Sequence, residues 1–211
     1  MALPSGRSLT IDERSTVHTP ASTSDLFDLY ESKGDEPYGE SVTQIQHALQ
    51  CAALARDEHA SDAMIVAALF HDVGHLVGDV HHRPELLSAE VDDDHEAIGA
   101  RILSPLFGPS VAQPVSLHVT AKRWRCTREP AYFDRLSEAS KLTLKAQGGL
   151  LSDEECLRFE EHHGFVDALV LRSWDDEAQT VGLAVGTLDD YVGIVNSLAA
   201  AWSRSRHEHS R

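Results

Sequence analysis

The residues in this chain best suited to chemistry are histidines and aspartates. His71 and Asp72 are adjacent and His75 lies four residues beyond His71, so on a helix they project over little more than one turn. An adjacent His-Asp pair is common by chance and usually makes ordinary surface hydrogen bonds. Here it follows the apolar run from Met64 to Phe70, so it projects from a buried helix. Buried polar groups need partners, and a metal ion satisfies several at once. His47, His95, His118 and Asp175 fall on four other helical segments, at or beside apolar faces. Each alone reads as a satisfied core or surface residue. Together they match the way helical bundles build metal sites from facing side chains. Four histidines and two aspartates exceed the three or four protein ligands that one ion commonly takes, and a dinuclear centre follows if Asp72 bridges.

The elements that must position these residues are helical. Val42, Ile45, Ala48, Leu49, Ala52 and Ala55 repeat at three and four residues, defining one buried helix face beside His47. Ser61 caps the next helix, which carries Met64, Ile65, Ala68, Leu69 and Leu76 around the His71–His75 block and frays at Gly78. Asp94 is placed to cap the helix of His95, which Gly108-Pro109 ends. The following helix bears His118 and, one turn on, Lys122. Ser137 opens a helix that stops at Gly148-Gly149, Ser152 and Glu155 form a capping box, and Thr187 caps the last helix. No segment alternates as a strand does, so the expected fold is all-α, a helical bundle.

Composition sets the outer limits. A chain of 211 residues and 23.1 kDa predicts one domain. Its expected bounds are residues 25–200, after a low-order extension over 1–24 and before a polar tail over 201–211. The net charge of −16 repels phosphate backbones and anionic lipid heads, which argues against nucleic acid as a partner. The longest apolar run in the helical part is too short to span a bilayer, so no membrane span is expected. Three cysteines without a CxxC spacing, and no apolar signal core at the N-terminus, predict a reducing cytoplasm. The 13 histidines beside 34 acidic residues suit iron, zinc or manganese; His81, His82, His207 and His209 read as solvated surface. Nothing points to a particular oligomeric state.

The pattern H…HD…H…H…D resembles the HD-domain superfamily, and within it the mixed-valent di-iron oxygenases that degrade organophosphonates, relatives of myo-inositol oxygenase. The likeness covers residues 25 to about 195. It rests on Gly39–Ala52 (GESVTQIQHALQCA), Ala67–Leu76 (AALFHDVGHL), Leu117–Arg123 (LHVTAKR), Leu136–Ser140 (LSEAS), Gln147-Gly148-Gly149 and Arg172–Asp176 (RSWDD). The resemblance implies that His47, His71, Asp72 and Asp175 hold one iron, and that Asp72 bridges to a second held by His95 and His118. It further implies that His75, Lys122 and Ser140 bind the phosphonate, with Gln147 beside them, and that His75 and Lys122 act in catalysis. Without the histidine one turn away, Lys122 would read as a solvated member of the run Lys122-Arg123-Trp124-Arg125. Tyr38 and Glu40 match a lid pair, although the spacing between them is one residue shorter than in the family.

The implied activity is O2-dependent cleavage of the C–P bond of a 1-hydroxyphosphonate bearing a 2-amino or 2-trimethylammonio group. Phosphate and glycine or glycine betaine are the products, with two irons, Fe(II) and Fe(III), as cofactor and O2 as co-substrate. The partner is thus a small-molecule organophosphonate. A metal-dependent phosphohydrolase, common in the wider superfamily, is the alternative; the fuller ligand set and the absence of a basic nucleotide-binding patch favour the oxygenase. A non-catalytic signalling module is third, disfavoured because all six ligand positions are filled.

Overall fold

The computed structural model describes residues 19–38, 42–77 and 94–208. Glu40, Gly78, His81, His82 and His209, and most of the expected N-terminal extension, lie outside them. The order is α1 (Thr23–Lys33), β1 (Pro37–Tyr38), β2 (Val42–Thr43), α2 (Gln44–Asp57), α3 (Asp62–Phe70), α4 (Val73–Val77), α5 (His95–Phe107) and α6 (Pro109–Arg128), then α7 (Pro130–Arg135), α8 (Glu138–Ala146), α9 (Asp153–Glu160), α10 (Phe165–Glu177) and α11 (Asp189–Glu208). The fold is all-α, as expected. Among the described residues its one small exception is the antiparallel pair β1–β2, which sets Tyr38 opposite Val42, so that Val42 precedes the helix on whose face it was expected.

Helix α3 sits at the centre because every residue from Met64 to Phe70 is buried. Phe70 meets Phe27, Tyr30 and Phe107, and the same core takes in Leu103, Leu171, Trp174 and Tyr191. Around α3 pack α2, α6, α10 and α11.

Local signals explain most boundaries. Ser61 and Ser137 cap α3 and α8 through their side chains, and Ser152 with Glu155 completes the predicted capping box of α9. Ser22 and Thr43 form capping boxes at α1 and α2 as well. Gly108 both ends α5 and opens α6 at φ 75°, and a Cβ there would meet the Trp202 ring at 2.7 Å.

Two expectations change. The His71–His75 block does not lie on one helix: α3 ends at Phe70, His71 and Asp72 form a turn, and α4 restarts at Val73. Asp94 has φ 50° and its side chain makes no cap; its carbonyl oxygen accepts from Ala97 and Ile98 instead. Helix α11 runs on to Glu208, and on it Trp202 packs on Gly108 and Arg206 donates to the Pro105 carbonyl at 3.3 Å. Among the described residues, no helix is long and apolar enough to cross a membrane.

Candidate metal centre

The break between α3 and α4 turns His71 and Asp72 inward from the end of the buried helix. His47 reaches them from α2, His95 from the first residue of α5, His118 from the middle of α6 and Asp175 from α10. All six side chains are buried. Asp72 divides the cluster. Its Oδ2 lies 3.3 Å from His71 Nε2 and 3.7 Å from His47 Nε2, with Asp175 Oδ1 3.2 Å from His47 Nε2. Its Oδ1 faces the other way, 3.5 Å from His95 Nε2 and 3.6 Å from His118 Nε2.

The imidazoles are held in a definite tautomer. Nδ1–H of His71 donates to Ala68 O at 2.9 Å, that of His118 to Val115 O at 2.7 Å, and that of His47 to Ala178 O at 2.8 Å. Each leaves its Nε2 aimed into the cluster, the arrangement by which carbonyls orient metal-binding histidines. Burial opposes charge on His71, but Asp72 and Asp175 outweigh it and raise its pKa well above the ordinary value. Burial, aided by charge on His95, lowers that of His118 to about 3, so this imidazole stays neutral. Burial likewise opposes ionisation of Asp72, yet His71, His75 and His95 hold its carboxyl well below the usual range.

These groups fit a metal. Asp72 Oδ1 is buried with no hydrogen-bond partner, a costly state that a cation between it, His95 and His118 would relieve. The donor atoms of His47, His71, Asp72 and Asp175 lie within 4.8 Å of one another, and so do those of Asp72, His75 and His95. Bonds of about 2.0–2.2 Å to nitrogen and oxygen place neighbouring donors roughly 3 to 3.6 Å apart, close to the spacings found here.

The remaining expected residues form a rim. His75 lies on α4 and stacks on His95 with ring centroids 3.9 Å apart. Lys122 is 4% exposed, which excludes the solvated reading of its sequence run. Its ammonium donates to Thr143 Oγ1 at 2.8 Å and Gln147 Oε1 at 3.1 Å, and burial, with the nearby charge of Arg172, lowers its pKa to about 8. The Ser140 hydroxyl is taken by Ser137 at the start of α8, so the lysine partners are Thr143 and Gln147. Tyr38 stacks on His47 at 3.8 Å and donates to Asp175 Oδ1 at 3.2 Å. Burial, then the charge of Asp175, raises its pKa well above the ordinary phenol value, so it remains a neutral donor.

Sequence reasoning passed over three residues. Thr143 lies four before Gln147 on one helix face, a spacing that was readable. Arg172 lies three before Asp175; it donates to Asp175 Oδ2 at 2.6 Å, to Asp176, and through Nε to the Tyr132 hydroxyl at 3.1 Å. Cys51, one turn after His47, brings its Sγ to 3.7 Å from His47 Nε2.

Gly74 makes the close approach of α4 to α5 possible, because a Cβ there would lie 2.0 Å from the His95 carbonyl oxygen. Gly74→Ala is therefore expected to push the start of α5 away, lowering unfolding free energy by about 1–3 kcal/mol. Metal titration should show weaker binding on the His95 and His118 side with the His47 side retained.

Residues 45–154 match the HD domain family. The chain is 45% identical over 166 residues, 79% of its length and 82% of the relative's, to hydroxymethylphosphonate dioxygenase of Gimesia maris. It is 37% identical over 151 residues, 70% of its length and 75% of the relative's, to [1-hydroxy-2-(trimethylamino)ethyl]phosphonate dioxygenase (glycine-betaine-forming) of Leisingera caerulea. An uncharacterised protein of Acanthamoeba polyphaga mimivirus is 34% identical over 168 residues, 79% of this chain and 76% of that one. With an HD pair at the end of its central helix and relatives named as phosphonate dioxygenases along most of its length, the chain belongs to the HD-domain family of phosphonate oxygenases.

Proposed function

We propose that this chain is an O2-dependent oxygenase that cleaves the C–P bond of a 1-hydroxyphosphonate at a di-iron centre. The observation that carries the reading is the division of Asp72, with Oδ2 toward His47 and His71, which Asp175 also meets, and Oδ1 toward His95 and His118, while the buried cation Lys122 stands one helical turn beyond His118 on α6. Asp72 would bridge, His47, His71 and Asp175 would complete one position, and His95 and His118 the other. When bound, the irons supply Lewis acidity toward the hydroxyl and phosphonate oxygens and electrons for O2.

The chain's own residues would do the rest. Lys122, held by Thr143 and Gln147, neutralises phosphonate charge in a protein that is otherwise strongly acidic. His75, stacked on His95, offers an imidazole donor on the same side, and Ser140 would join after releasing Ser137. Tyr38 would withdraw from Asp175 when substrate enters, and Glu40 would act with it as the second member of the lid pair. The overall change balances: R–CH(OH)–PO3(2−) and O2 give R–COOH and HPO4(2−), breaking the C1–H and C–P bonds. Three free buried cysteines fit the expected reducing cytoplasm.

The group R distinguishes two readings. A 2-trimethylammonio substituent accords with the relative from Leisingera caerulea, and a 2-amino one would be its unmethylated counterpart; R = H accords with the more similar relative from Gimesia maris. The iron-loaded protein should release phosphate from at least one of hydroxymethylphosphonate, 1-hydroxy-2-aminoethylphosphonate and its trimethylammonio analogue. It should release none from p-nitrophenyl phosphate or nucleotides. Turnover of phosphate esters alone would make the protein a phosphohydrolase.

A further inference from the structure

Among the described residues, His71 and His118 are oriented by backbone carbonyls close by in the chain. His71 uses the carbonyl of Ala68 and His118 that of Val115, each three residues earlier. His47 differs: its carbonyl belongs to Ala178, 131 residues away, just beyond the end of α10. An acceptor supplied by a distant segment is only as well placed as that segment. Beyond Ala178 the chain runs irregular from Gln179 to Thr187, exposed except at the half-buried Val185.

Gln50 meets that segment directly. It lies three residues after His47 on α2 and is buried. Its Nε2–H donates to Thr180 O at 2.9 Å, and its Oε1 accepts from Thr180 N–H at 2.9 Å. The carboxamide thus pairs both backbone groups of one residue, as a neighbouring strand would. His47 and Gln50 therefore grip the same stretch from one helix face, at Ala178 and Thr180.

We infer that Gln50 is a positioning residue for the metal centre: by clamping Thr180 it fixes the Ala178 carbonyl that holds His47 with Nε2 directed at Asp72 and Asp175. A carboxamide is the side chain that suits this task, because it alone presents a donor and an acceptor side by side without charge. Partners in the outer shell of a ligand commonly govern affinity or activity by 10- to 100-fold. The inference rests on the reading of His47 as a metal donor, but its test reads the imidazole proton itself.

The experiment uses the full chain labelled with 15N-histidine, metal-free and zinc-loaded, with the His47 Nδ1–H signal assigned by its loss in His47→Gln. Solvent exchange of that proton is compared in wild type, Gln50→Leu and Gln50→Glu, the latter keeping the acceptor and losing the donor. Circular dichroism and the thermal midpoint control for folding. Exchange at His47 should rise by about tenfold or more in Gln50→Leu and by less in Gln50→Glu, while the protons of His71 and His118 exchange as in wild type. Unchanged exchange at His47, equal acceleration at all three histidines, or loss of fold in both variants would overturn the inference. Zinc content of the wild-type sample reports separately on the metal reading, since the proton can be followed with or without the ion.

Discussion

Asp72→Ala is expected to abolish metal binding at both positions of the cluster. Each carboxylate oxygen faces a different histidine pair, so one substitution removes a donor from two sites at once. Loss of an outer partner alone weakens metal binding by about 10–100-fold, and loss of a shared direct donor should exceed that at each position. His118→Ala should behave differently, weakening only the position that it shares with His95. Iron analysis after reconstitution checks both: about two irons per chain in wild type, close to none in Asp72→Ala, and about one in His118→Ala. Equal loss in the two variants would mean that Asp72 does not bridge.

Lys122→Met is expected to keep the metal and lose affinity for the substrate. The lysine touches Thr143 and Gln147 and none of the proposed ligands, so iron content should match wild type. A charge-assisted contact is worth about 1.5–3 kcal/mol, so kcat/KM for a hydroxyphosphonate should fall roughly 10- to 150-fold, mostly through KM. The same residue predicts a pH dependence. Its pKa is lowered to about 8 by burial and by Arg172, and only the protonated form attracts an anion. Affinity should therefore be full below that value and decline as pH rises above it, and this limb should vanish in Lys122→Met. A wild-type pH profile in the variant, or unchanged KM, would place the anion elsewhere.

Much of this was legible in the sequence because helices announce themselves by spacing. The buried face of α2, the caps at Ser61, Ser137 and Ser152, and the Gly108 joint all follow from short-range physics. The break at His71 was hidden because apolar residues continue on both sides of it, through Phe70 and again at Val73 and Leu76, so the periodicity of one helix and of two short ones looks alike. The β1–β2 hairpin is only two residues long on each side, too short to show alternation. The end of α11 was masked by a polar sequence, although Trp202 was available as an anchor.

The candidate site divided along similar lines. The six ligand candidates were found from residue type and position beside apolar faces, and they meet in space. Their environment was not readable: that Lys122 is buried, that Ser140 turns to Ser137, and that Arg172 ties Asp175 to Asp176 and Tyr132 depend on which helices pack together. Thr143 and Arg172 stood at helical spacing from residues already singled out, and following that spacing outward would have found both.

The proposed function has the cluster oxidise its substrate and not hydrolyse it. Simultaneous recording of O2 uptake and phosphate release by the iron-loaded protein with hydroxymethylphosphonate or a 2-amino analogue separates the two. Oxidation should consume one O2 per phosphate released, form one carboxylic acid, and release no phosphate under argon. Phosphate released at the same rate without O2 would contradict it and make the metals activators of water.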